Sequence, residues 1–244
     1  MTQESIAQLV AVVAGATSDI GRAVCTGLAA AGAQLCLLGR DTSTLELLAK
    51  SVRNITDEVF VYPVDFAMDA SVTALATQLS RDVGRVDVLV HSAGVFEMGS
   101  HASAAVADLD HQYRTNVRGP YLLTQALLPL LRACRGQIVF VNSTVGLEAR
   151  ASVGQYASTQ HALRAIADAL RAEVNADGVR VLTVYLGRTA TARQARIFRL
   201  EGRPYAPELL MQPHDVAEMV LAALRLPRTA EVTEIRMRPL VKSY

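Results

Sequence analysis

Two glycines set six residues apart, Gly15 and Gly21, enclose the segment Ala16-Thr17-Ser18-Asp19-Ile20. An apolar run precedes them and a helical pattern follows. A glycine at a strand end lets the backbone turn sharply toward a pyrophosphate, and a second one in the first helical turn permits close packing. The helix N-terminus adds free N–H groups and positive potential. A middle glycine is common in such turns; Asp19 stands there instead, and as an N-cap it also suits a plain strand-turn-helix. Phosphate chemistry has a second candidate place at Gly39-Arg40-Asp41, the tip of the next apolar run. A guanidinium there would pair a phosphate through two parallel donors, whereas an acidic group would accept from ribose hydroxyls. Asp41, with Thr42 and Ser43 beside it, reads as a helix N-cap. Arg193, Arg196, Arg199 and Arg203 recur at spacings of three and four, which fits a solvated helix face better than an anion clamp. His101, His111 and His214 lack ligand spacing, and Cys25, Cys36 and Cys134 form no metal pattern, so no metal site is expected.

Short apolar runs alternate with amphipathic stretches along the chain. Candidate strands are 9–14, 33–38, 59–64, 86–91, 137–142, 179–185 and 232–237, mostly uninterrupted Val, Leu and Ile, as in parallel strands buried on both faces. Candidate helices are 19–31, 42–52, 70–83, 106–131, 153–177 and 213–224. Leu45, Leu48 and Ala49 share one face of the second, and Leu163, Ile166, Ala167 and Leu170 one face of the fifth. This alternation predicts an α/β fold: a single-domain, Rossmann-type doubly wound sheet, mostly parallel, with helices on both faces and one domain over residues 1–244. The rhythm fails only at 189–212. A loop of that length in a compact domain is usually functional, and a substrate lid is the expectation.

Hydrophobic residues make up 51% of the 244-residue chain and charged residues 19%, enough for a sizeable core. With 24 Lys plus Arg against 23 Asp plus Glu, nothing favours a nucleic-acid or anionic-membrane partner. No apolar run nears the roughly 18 to 20 residues that span a bilayer, and no signal peptide is evident. Together with the odd cysteine count, this predicts a cytoplasmic protein.

From the Gly15–Gly21 turn onward the chain resembles the short-chain dehydrogenase/reductase family over essentially its whole length. The turn is similar to that family's glycine motif in its variant with Asp at the middle position, implying that Gly15, Thr17, Ser18, Asp19, Ile20 and Gly21 hold a dinucleotide. Asp65 matches the adenine-contacting aspartate. His91-Ser92-Ala93-Gly94 stands where the family has Asn-Asn-Ala-Gly, keeping Ala93 and Gly94. Asn116 matches the helix asparagine of the catalytic set, Ser143 the catalytic serine, and Tyr156 the tyrosine, 13 residues on. Gly187 and Thr189 match the stretch that contacts the nicotinamide, although Leu186 replaces the usual proline. Gly39-Arg40 resembles members that prefer NADPH, so NADPH is expected ahead of NADH. The long stretches 106–131 and 153–177 match the helices through which members form homodimers and homotetramers.

The implied reaction moves hydride between nicotinamide and a small-molecule carbonyl or alcohol. Negative charge then develops on oxygen, which calls for a proton donor and a stabilising hydrogen bond. The resemblance gives these tasks to Tyr156 and Ser143. The family's lysine, four residues after the tyrosine, is absent: Gln160 stands there, able to donate from its amide but not to supply charge. His161 is rotated about 100° around the helix and does not replace it. A slow reductase, a non-redox dinucleotide-binding protein (a sensor, or a fold turned to other chemistry) and an engineered exchange all fit this gap. Phe96 to Met98, Val145 to Leu147, Ile197 and Phe198 are expected to line a largely apolar substrate pocket.

Overall fold

The computed structural model describes residues 4–56 and 58–241. Seven strands, β1 (Val10–Ala14), β2 (Gln34–Gly39), β3 (Val59–Pro63), β4 (Val88–His91), β5 (Gln137–Ser143), β6 (Arg180–Leu186) and β7 (Glu234–Met237), form one sheet in the order β3-β2-β1-β4-β5-β6-β7. Every neighbouring pair is parallel. Winding reverses between β1 and β4, so a crevice opens beyond the carboxyl ends of these strands, where such sheets take their ligands.

Apolar residues on both strand faces require two helical layers. Ala11 and Val13 of β1 face α1 (Asp19–Ala30), α2 (Thr42–Val52) and α8 (Pro213–Leu224) through Val24, Leu28, Leu45 and Val220. Val10, Val12 and Ala14 face α3 (Asp69–Asp82), α5 (Gly119–Cys134) and α6 (Gly154–Val174) through Leu75, Leu123 and Leu163. Period-2 alternation along the strand therefore feeds two cores, not one.

Two expectations are corrected. The stretch 106–131 is not a single α-helix: α4 (Val106–Tyr113) passes through a π-helical turn, Arg114–Arg118, into α5. Pro120 has no N–H to bond the Asn116 carbonyl, which favours the wider turn there. Nor is 189–212 without structure. It holds α7 (Ala192–Leu200) and a short 3-10 turn, Pro207–Leu209, and its two ends pair through a bridge between Thr189 and Met211. Buried Phe198 organises it, with Tyr205 edge-on at 5.5 Å and the guanidinium groups of Arg188 and Arg203 over its ring.

Candidate active site

A cavity of ≈ 690 Å³ runs from the N-terminus of α1 across the end of β4 to the start of α6. At its first end Gly15 has φ +76°, and a Cβ there would lie 2.5 Å from the Ala93 nitrogen. A Cβ on Gly21 would lie 2.1 Å from the Gly15 carbonyl oxygen. Both positions therefore need glycine. Ser18, not Asp19, is the N-cap: its hydroxyl accepts from Gly21 N at 3.0 Å and donates to the Gly15 carbonyl at 2.8 Å. Asp19, freed from capping, accepts from the Ala192 N–H of α7 at 2.8 Å. Thr17, Ser18, Asp19 and Ile20 line this end, joined by Ser92, whose hydroxyl lies 3.2 Å from that of Ser18. Sequence reasoning did not single out Ser92.

Arg40 is exposed at the tip of β2, outside the cavity wall and without a hydrogen-bond or ion-pair partner among the described residues. Asp41 caps α2, accepting from Ser43 N at 3.1 Å. Asp65 also lies off the wall; its carboxylate accepts from Ala67 N at 2.9 Å and shapes the turn before α3.

At the other end the structure brings Asn116, Ser143, Tyr156 and Gln160 to one wall. Ser143 closes β5 and Tyr156 opens α6, and both line this end of the cavity. Phe96 lies edge-on to the phenol at 5.0 Å. Burial holds the Tyr156 pKa above its usual value, against the pull of the Arg193 guanidinium and the Ser143 hydroxyl. Asn116 is buried, accepting from Val95 N at 2.7 Å and donating to the Val95 carbonyl at 2.9 Å. Its amide also donates to the Thr159 hydroxyl at 3.1 Å. Gln160, equally buried, donates to that same oxygen at 3.3 Å, and its backbone carbonyl accepts from Asn142 Nδ2 at 3.0 Å. Thr159, which sequence reasoning passed over, thus joins Asn116 to Gln160. His161 faces out and is exposed. Gly94, Gly187 and Thr189 complete the wall with Ala93.

Some of the expected pocket residues lie off the cavity wall. Phe96, Met98, Val145 and Ile197 line it, whereas Glu97 turns to Arg196 and Phe198 lies inside the 189–212 segment. The arginines of α7 are not one uniform solvated face. Arg196 pairs with Glu97, and Arg203, beyond the end of α7, stacks on Phe198, but Arg193 lines the cavity and donates to the Gly94 carbonyl.

The model of a family described as short chain dehydrogenase matches residues 9–201. An uncharacterized oxidoreductase of Staphylococcus aureus (strain USA300) is 31% identical over 231 residues, covering 94% of this chain and 96% of the relative. An alcohol dehydrogenase from the archaeon Thermococcus sibiricus, solved with 5-hydroxy-NADP, superposes with a TM-score of 0.86 at 27% identity, over 97% of this chain and 99% of that one. A short chain dehydrogenase from Shigella flexneri 2a, solved with NADP, gives a TM-score of 0.87 at 27% identity, over 95% and 98%.

Proposed function

The chain belongs to the short-chain dehydrogenase/reductase family and is a nicotinamide-dinucleotide-dependent enzyme, and from that premise we propose that it uses NADPH to reduce a ketone or aldehyde, or NADP to oxidise the corresponding alcohol. The observation that carries this reading is the meeting of Ser143, Tyr156 and Asn116 on one wall of the long cavity.

The residues present fit a dinucleotide. The Gly15–Gly21 turn brings Thr17 to Ile20 and the α1 N-terminus to the cavity, which suits a pyrophosphate. Arg40 would pair the 2′-phosphate, Asp65 would meet the adenine, Tyr156 and Gln160 the nicotinamide ribose, and Gly187 and Thr189 the nicotinamide edge. Bound nicotinamide supplies the hydride to the carbonyl carbon, or accepts it from the alcohol. Ser143 holds the substrate oxygen, and Tyr156 passes its hydroxyl proton to that oxygen as negative charge develops. The network Asn116–Thr159–Gln160 fixes the start of α6 and with it the phenol. The 189–212 segment acts as the lid, and α5 and α6 serve self-association, which sedimentation would read as a dimer or tetramer.

The test is a fluorescence titration with NADPH followed by a panel of carbonyl compounds. Saturable binding and turnover are expected. Arg40→Asp should weaken NADPH binding on the order of tens- to hundreds-fold while changing NADH little. Equal binding of NADPH and NADH by the parent protein overturns the role of Arg40. Buried, uncharged Gln160 favours a second reading, a dinucleotide-binding protein without redox turnover. Tight NADPH binding with no product from any carbonyl would select it.

A further inference from the structure

We infer that Arg193, carried on α7, supplies to Tyr156 the positive charge that Gln160 cannot, so that the proton donor is tuned from the 189–212 segment and not from its own helix. The inference rests on the reading of Tyr156 as proton donor.

Four tethers place Arg193. The Thr191 hydroxyl caps α7, accepting from Gln194 N at 3.0 Å. Asp19 of the phosphate-binding turn accepts from Ala192 N. Thr189 and Met211 close the base of the segment. Arg188 and Glu201 join its far end to the strand side at 2.8 Å. From this frame the guanidinium donates to the Gly94 carbonyl on the cavity wall it shares with Tyr156, where its charge draws the phenol's pKa down. Its five N–H donors in one plane are not used up by that one bond. Gly94 is itself backed by Asn116, since a Cβ there would lie 3.2 Å from Asn116 Oδ1, so the anchor is fixed.

The other charged groups around the phenol are otherwise directed. Arg188 and Glu201 pair on the wall, Asp19 holds α7, and Arg150 lines the segment before α6. Arg196 turns to Glu97. On α6, His161 is exposed and Arg164 faces Asp168 at 3.7 Å. Behind the β4 end, His91 is buried against Thr124 and Phe140. His101 packs on Gly154. The Arg193 charge pulls the Tyr156 pKa down more than uncharged Ser143 does, against the larger effect of burial. A cation on α6 would act at all times, whereas one on α7 acts only while that helix lies over the cavity.

The test reads the phenol directly. 3,5-Difluorotyrosine placed at position 156 is acidified by its fluorines and titrates while the protein stays folded, with the ¹⁹F shift as readout. A nearby opposite charge lowers a pKa by about 1 to 3 units, and the exposed position of Arg193 favours the lower end. Arg193→Gln should therefore raise the midpoint by about 1 unit, both in the empty protein and with NADPH bound. Arg193→Lys should keep most of the parent midpoint. Gln160→Lys added to Arg193→Gln should bring it back down, by returning a cation to α6. The basic limb of alcohol oxidation should follow the same order. Identical midpoints in the parent protein and Arg193→Gln overturn the inference. So does a difference confined to the empty protein, since Arg193 would then leave on loading. A shifted midpoint without turnover on any carbonyl upholds the role of Arg193 and removes the oxidoreductase reading instead.

Discussion

The two walls of the cavity are built by different physics. The inner wall, from Ser143 through Asn116, Thr159 and Gln160, stands on strand ends and buried amide hydrogen bonds. The outer wall, α7 and its neighbours, is held by ion pairs, a cap and one apolar residue, Phe198. Buried, mutually satisfied polar groups fix geometry because each lost partner is costly. Part-exposed ion pairs cost less to open. On the proposed reading, chemistry that needs a fixed angle falls to the first wall, and a charge that can be withdrawn to the second.

The largest effect expected is from Tyr156→Phe. It keeps the ring against Phe96 but deletes the proton donor, so turnover should fall about 10²- to 10⁴-fold, and Gln160→Lys should not restore it. Activity within tenfold of the parent in steady-state assays would break the assignment of the inner wall.

Next comes acid stability. His91, buried behind that wall, is held neutral by burial, with its pKa pushed down to about 3. The unfolded chain takes up a proton near pH 6.5, so it binds more protons than the folded chain between those values, and stability falls as pH falls. About 2 kcal/mol should be lost through His91 between neutral pH and pH 5. Urea unfolding at both values should show a smaller acid loss for His91→Asn than for the parent protein; equal losses would mean that His91 is not the group responsible.

Thr159→Val keeps shape but removes the oxygen shared by Asn116 and Gln160. A stability loss of about 1 to 2 kcal/mol is expected, with a lower kcat as the α6 start loosens. No change in either would show that the link does not organise the wall.

The smallest effect belongs to the outer wall. Glu201→Gln weakens the Arg188 pair and should speed amide exchange in 192–200 about fivefold, leaving 137–143 unchanged. NADPH with substrate should slow exchange in the same segment. Equal acceleration of both walls would erase the distinction between them.

Much of this was legible without coordinates. Gly15, Gly21 and the seven apolar runs announce a parallel sheet with a sharp glycine turn after its first strand, because glycine spacing and period-2 burial are local properties. Ser143 and Tyr156 were legible through resemblance and register. Three features escaped for one reason, that partners distant in sequence decide them. Ser18 won the N-cap because Asp19 is drawn to Ala192, 173 residues away. Thr159 matters because Asn116 arrives beside it from a π-helical turn. Arg193 looked like one of four arginines on a solvated helix, and periodicity could not tell them apart. Folding set α7 across the β4 end, brought the Gly94 carbonyl within reach of one guanidinium, and left Arg196 to Glu97 and Arg203 to the Phe198 ring. Residue type and spacing determined which groups this protein has for chemistry; the packing of α7 over the sheet decided where its charge goes, because electrostatics depends on distance through space and not along the chain.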